Sequence, residues 1–118
     1  MSATTFEQLF LDSPRPIVES RTVSARAAYQ AVLGEDAVLV DLRAARLRRD
    51  QGEVHPDLEP VVLSPAELAG ISGRVLLLCA DGQLAARAAE ALRRLGHVGA
   101  SAVTGGYAAW RAAGMPTT

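Results

Sequence analysis

Cys79 is the only cysteine in the 118-residue chain, and it stands where a nucleophile can be used. It closes the apolar run Val75-Leu76-Leu77-Leu78 and is followed by Ala80-Asp81-Gly82-Gln83-Leu84, a short connection into a helical pattern. Gly82 can take the positive φ that lets such a connection turn tightly. In a tight loop, successive backbone N–H groups can converge on one point, and the N-terminus of the following helix adds positive partial charge. A thiol at that point would be held as thiolate and made nucleophilic near neutral pH. The same donors would hold the outer sulfur of a persulfide, as an oxyanion hole holds developing charge. A single Cys after an aliphatic run also reads as a small buried hydrophobe. Both readings stand at this point.

A second apolar run, residues 37–42, contains Asp41 and leads into Arg43. If both runs are strands of one open parallel sheet, ligands bind beyond their carboxyl ends. Asp41 and Arg43 then share an edge with Cys79, Ala80, Asp81, Gly82 and Gln83. Arg43 would bring a cation to that edge, or would pair structurally with Asp41 or Glu53. Gln83 would donate to a ligand or face solvent. His55 follows the turn at Gly52 and His97 follows a helix stop, and a lone surface histidine reads as inert rather than as a general base. Trp110 falls in the last helical pattern and reads as core. One cysteine and two histidines make a poor metal set.

The elements that must position these residues are legible. Ser24 is a fitting N-cap for a helix over 25–33, with Gly34 at its stop. Residues 37–42 form a continuous apolar run, the pattern of a strand buried on both faces. A helix over 44–50 ends at Gly52, and 61–63 form a short strand. Ser64 and Glu67 make a capping box around Pro65, which takes the favoured first helical position. A second buried strand covers 75–79. The clearest helix spans 84–95, with Leu84, Ala88, Ala91, Leu92 and Leu95 as its apolar stripe and Arg87, Glu90, Arg93 and Arg94 opposite. Gly96 ends it, 102–103 form a short strand, and a last helix over 107–113 stops before Gly114 and Pro116. Strands and helices alternate, which argues for an α/β fold with a parallel sheet and helices on both faces.

The length fits one domain, taken as residues 21–118, after a distinct leader over 1–20. In that leader Phe6, Leu9 and Phe10 have helical spacing after Thr4-Thr5, and Pro14 and Pro16 break the pattern. It would pack on its own domain or on a partner. Apolar residues make up 49% of the chain and aromatic ones 4%, so the core must be mostly Ala, Val and Leu. The net charge of −1 lacks the basic excess of a nucleic-acid binder. The densest basic group, Arg43, Arg46, Arg48 and Arg49, reads as a solvated helix face. A lone cysteine gives no internal disulfide, no signal-peptide pattern opens the sequence, and the longest apolar run, residues 75–80, is too short for a membrane span. A reduced cytoplasmic setting is expected, without nucleic-acid or membrane partners.

Three stretches resemble the rhodanese (thiosulfate sulfurtransferase-like) family. Val40-Asp41-Leu42-Arg43, with Gly52-Glu53-Val54 and Val61-Val62-Leu63 after it, is similar to the family's D-V-R segment and its later G-E-I turn. Cys79-Ala80-Asp81-Gly82, running into the helix that stops at Gly96, looks like the C-x-x-G active-site loop. Gly105-Gly106, Trp110, Gly114 and Pro116 fit the family's G-G-x-x-x-W-x-x-x-G-x-P ending at every fixed position. Together they cover about residues 21–116.

The resemblance implies a small five-stranded parallel sheet with helices on both faces, and a sulfurtransferase that needs no metal or organic cofactor. Cys79 would take a sulfane sulfur from a donor as a persulfide and pass it to a thiol or to cyanide, with residues 80–84 forming the binding loop. The partners implied are a small sulfur donor, or a protein persulfide, and a thiol acceptor, on a monomer or homodimer. The chain departs from the family where many members place Arg, Thr or Ser five residues after the Cys, often with Ser next: here those positions are Leu84 and Ala85. Asp81 also sets a negative charge two residues from the sulfur, which disfavours thiolate and repels anionic donors, thiosulfate most of all. The alternative is a rhodanese-like module that binds or regulates without catalysis. A phosphatase or arsenate reductase of related architecture would need Arg six residues after the Cys, where this chain has Ala85, and Arg87 lies too far along the helix to replace it.

Overall fold

The structure, a computed structural model, describes residues 22–118; the helix expected around Phe6, Leu9 and Phe10 lies outside them. Five strands form one sheet: β1 (Thr22–Val23), β2 (Val38–Asp41), β3 (Val61–Val62), β4 (Val75–Leu78) and β5 (Ala100–Val103). Their order is β1-β5-β4-β2-β3, and every neighbouring pair is parallel. Among the described residues four α-helices make the connections: α1 (Ala25–Leu33), α2 (Ala45–Gln51), α3 (Gln83–Arg94) and α4 (Gly106–Ala112), with 3-10 turns at Pro56–Leu58 and Pro65–Gly70. The α/β architecture with a five-stranded parallel sheet is the one the sequence implied.

β4 lies at the centre, and all four of its residues are buried. Side chains on a strand alternate between faces, so its contacts divide cleanly. Val75 and Leu77 join one core with the alanine face of α3, while Leu76 and Leu78 join the other with α1, Val103 and Trp110. Cys79, directly after the strand, keeps the parity of Val75 and Leu77 and packs in the α3 core. That alternation is why its sulfur points at the N-terminus of α3.

The local expectations hold with small shifts. The Ser24 side chain accepts from Ala27 N at 3.0 Å and caps α1. Glu67 accepts from Ser64 N at 2.9 Å, and that bond holds its carboxyl below the ordinary range. Strand β4 stops at Leu78, so Cys79 opens the loop rather than closing the strand, and α3 begins at Gln83, one residue early. The stripe of α3 is also rotated from the one expected. Ala85 and Ala89 are fully buried, whereas Leu95, the C-cap, is 42% exposed because the helix has already ended at Arg94. Alanines on the inner face let α3 lie close against the sheet. β3 is an edge strand of two exposed valines, and Val38 at the start of β2 is exposed rather than buried. β5 begins two residues earlier than its apolar pair Ala102-Val103 indicated, because Ala100 is buried beside Val75.

Candidate active site

Parallel strands end on one edge, and the register places Asp41 beside Leu78. Leu42 N donates to Leu78 O at 2.7 Å, which carries the pairing one step past both strands. Asp41, Arg43 and Cys79 are therefore gathered at the carboxyl edge.

Cys79 is 3% exposed, and its Sγ accepts two backbone hydrogen bonds, from Gly82 N at 3.1 Å and from Ala85 N at 3.3 Å. Ala85 lies in the first turn of α3, whose N–H groups have no partner inside the helix. The sulfur thus caps the helix. Gly82 is the N-cap residue, with φ of 93°, a conformation that costs a side-chain-bearing residue strain. The Asp81 carboxylate accepts from Gln83 N at 3.0 Å, and its Oδ1 is 4.0 Å from Sγ.

The thiol is itself placed to donate to Asp81 Oδ1 across that long S···O distance, and Asp81 is exposed.

The loop's carbonyls face the other way. Cys79 O accepts from Tyr107 N at 2.7 Å, and Ala80 O accepts from Ala108 N at 3.2 Å. The first turn of α4 thus satisfies the oxygens while the amides turn toward the sulfur. Contact this close requires a bare backbone at Gly106: a Cβ there would overlap Cys79 O and come within 2.7 Å of Gly82 N, and the residue has φ of +62°. The Gly105-Gly106 pair, read from the sequence as a fold marker, also forms the wall of the Cys79 loop.

Arg43 has a defined place. Its Nη2 donates to Asp41 Oδ2 at 2.8 Å, its Nε to Oδ1 at 3.1 Å, and its Nη1 to Gln51 Oε1 at 3.3 Å. The guanidinium carbon lies 3.8 Å from the centroid of the Tyr107 ring, a cation–π contact. Its side chain is fully buried. Of the two ion-pair partners considered, Asp41 is the one observed, and Glu53 bonds Arg48 instead at 3.0 Å. Arg43 thereby ties β2, α2 and α4 together behind the loop. Leu84, at the loop's end, is half-buried and packs on the α3 core, and Gln83 is exposed.

His55 accepts from Asp57 N at 3.1 Å as the cap of a 3-10 turn, His97 Nε2 lies 2.9 Å from Gly73 O, and Trp110 is fully buried. Among the described residues no three of His, Cys, Asp or Glu are grouped to hold a metal ion, and no helix is long and apolar enough to cross a membrane. Gln51, Gly106 and Tyr107 were not singled out for the site from sequence. The repeated Gly-Gly before the last helix was the one available signal.

Comparison with known proteins gives a consistent picture. The family model for the rhodanese-like domain matches residues 7–113. No curated protein matches the chain. Among solved structures, a protein of Rhodopseudomonas palustris described as a possible tyrosine phosphatase has a TM-score of 0.74 at 19% identity, over 100% of this chain and 97% of its own. A rhodanese-like domain from Anabaena gives 0.67 at 20% identity, covering 85% of this chain and 80% of that one. A thiosulfate sulfurtransferase from Pseudomonas aeruginosa gives 0.71 at 23% identity, covering 89% of this chain but 20% of that much longer one. At such identities these structures speak for the fold, and the family model covers most of the sequence. The chain belongs to the rhodanese-like domain family.

Proposed function

We propose that the chain is a sulfurtransferase working through a persulfide on Cys79. The observation that carries this reading is the convergence of Gly82 N and Ala85 N on Sγ, which supports a thiolate at a loop whose carbonyls are bonded elsewhere. The thiolate attacks the outer sulfur of a donor. A new S–S bond forms at Sγ, the donor's S–S bond breaks, and the leaving group departs with the electron pair as a thiolate, or as sulfite when the donor is thiosulfate. An acceptor thiolate, or cyanide, then attacks the outer sulfur, and Cys79 leaves as thiolate. This is two-step covalent catalysis by an activated nucleophile, and no external oxidant or reductant enters. The test is thiocyanate formation from a sulfane donor and cyanide: wild-type protein turns over and Cys79→Ser does not. Failure of folded wild-type protein with thiosulfate and persulfide donors alike would remove the enzyme reading.

The apolar Leu84 favours a second reading, a rhodanese-like module that binds a partner without turnover. The two are separated by restoring a cation at the loop's end. On the sulfurtransferase reading, Leu84→Arg raises kcat/KM with thiosulfate by about tenfold, since a cation at the site mouth both attracts the dianion and offsets Asp81. An unchanged, negligible rate with this variant would favour the binding module. The possible tyrosine phosphatase description of the Rhodopseudomonas structure gains no support here, because the residue where such a loop needs its oxyanion-holding Arg is the fully buried Ala85.

A further inference from the structure

Of the charged groups gathered at the carboxyl edge, one is set directly beside the sulfur. The Arg43 guanidinium is fully buried and committed to Asp41, Gln51 and the Tyr107 ring. Arg48 pairs with Glu53 and bonds Arg43 O. Leu84 and Ala85, at the loop's end, carry no charge. The Asp81 carboxylate, in contrast, is exposed, and its Oδ1 lies 4.0 Å from Sγ. Gln83 N, in the first turn of α3, holds that oxygen at 3.0 Å. The negative charge is therefore fixed near the sulfur while it stays open to solvent. A carboxylate has about four acceptor sites, so after one amide and the thiol it keeps capacity for a ligand's N–H.

We infer that Asp81 is a specificity-determining residue that gives the Cys79 site a preference for cationic donors, the persulfides of aminothiols. The inference rests on the sulfurtransferase reading and adds the substrate class to it. Distance alone carries it, with no need of a pocket. A sulfur that bonds to Sγ sits about 2 Å from it, and so comes within about 6 Å of Asp81 Oδ1 from whichever side the donor approaches. An ammonium two carbons beyond the donor sulfur can fold back onto the carboxylate, whereas an anionic group in the same place is pushed away. The S–S bond at Sγ forms as the donor's S–S bond breaks, and the aminothiol leaves with the electron pair as its thiolate. Thiosulfate, a dianion, stands at the unfavourable end of such a series.

The test uses the persulfides of cysteamine, 2-mercaptoethanol and 3-mercaptopropionate, which are similar in size and carry a cationic, a neutral and an anionic group. Each is given to wild type and to Asp81→Asn. The asparagine keeps an oxygen for Gln83 N and loses the charge, and comparing the two proteins cancels the donors' own reactivities. For each unit of positive charge on the donor, kcat/KM of wild type relative to Asp81→Asn should rise by about threefold to tenfold, the effect of charges about 6 Å apart at high effective dielectric. Added salt should shrink that trend. A relative rate that is the same for all three donors would overturn the assignment. A second measurement needs no sulfur transfer. Methanethiosulfonates bearing a 2-aminoethyl, 2-hydroxyethyl or 2-sulfonatoethyl group form a mixed disulfide with the Cys79 thiolate and release methanesulfinate, and intact mass follows the rate. The same order, lost in Asp81→Asn, is expected. That order in a protein that moves no sulfur would refute the sulfurtransferase reading and keep Asp81 as the charge filter. Persulfide turnover with no charge order in either assay would do the reverse. Folded protein whose Cys79 reacts with none of the three reagents would overturn both.

Discussion

Gly106→Ala is expected to destabilise the fold by about 3 kcal/mol and to lower sulfur transfer by about a hundredfold. The methyl group would overlap Cys79 O and press on Gly82 N and Ala80 C, at 2.7 and 2.8 Å, all of them backbone atoms of the loop. Backbone cannot rotate away as a side-chain tip can, so the strain of overpacking, about 1–3 kcal/mol, adds to the about 1–2 kcal/mol cost of a Cβ at φ of +62°. The loop must then move, and a shift of about 1 Å in a catalytic group can cost a factor of about a hundred. Gly114→Ala is the control. That residue also has positive φ, at +75°, but nothing lies within 4 Å of the added atom. It should lose only the conformational part and keep its activity. Urea midpoints and thiocyanate formation for both variants decide the matter, and equal effects from the two would show that the contact with the loop is unimportant.

Arg43→Ala is expected to be at least as damaging to stability, by about 3–5 kcal/mol, the usual cost of leaving one member of a buried pair alone. Asp41 is 2% exposed and Arg43 3%, so the abandoned carboxylate has little water to turn to. The Arg43 backbone N–H, at 3.0 Å, is the donor left to it, and Gln51 and the Tyr107 ring lose their contacts as well. The sign of the pair term is open to a direct check. Asp41→Leu with Arg43→Met removes both charges and keeps the volume, and such replacements are often neutral or stabilising. The double variant should therefore unfold at higher urea than Arg43→Ala. If it is no better, the damage comes from lost packing of the long arginine stem rather than from a stranded charge.

The sequence made the sheet and the Cys79 loop legible through separate signals. The aliphatic runs of β2 and β4 have the unbroken character of strands covered on both sides, and the capping residues Ser24 and Glu67 behave in the fold as their types predict. Strands of two residues carry no periodicity, which is why β1 was not anticipated and why β5, with Ala100 and Ser101, looked shorter than it is. Their place in the sheet is set by burial against neighbours, a tertiary property. The site divides in the same way. Cys79, its loop and the Asp81 charge follow from one stretch of chain. The pairing of Arg43 with Asp41 was one of two alternatives that spacing alone left open. The wall formed by Gly106 depends on α4, which reaches the loop from the far end of the sequence, and the Gly105-Gly106 pair was the one local sign of that meeting.

The most direct measurement is the intact mass of the pure protein after incubation with thiosulfate, glutathione persulfide and a donor loaded by a cysteine desulfurase, alongside Cys79→Ser. The account predicts a gain of one sulfur atom on wild type and none on the variant, with glutathione persulfide ahead of thiosulfate because of Asp81 and Leu84. Folded wild-type protein that gains no sulfur from any donor would contradict it. The two amides on Sγ would then serve only to cap α3, and Cys79 would be a structural thiol in a binding module.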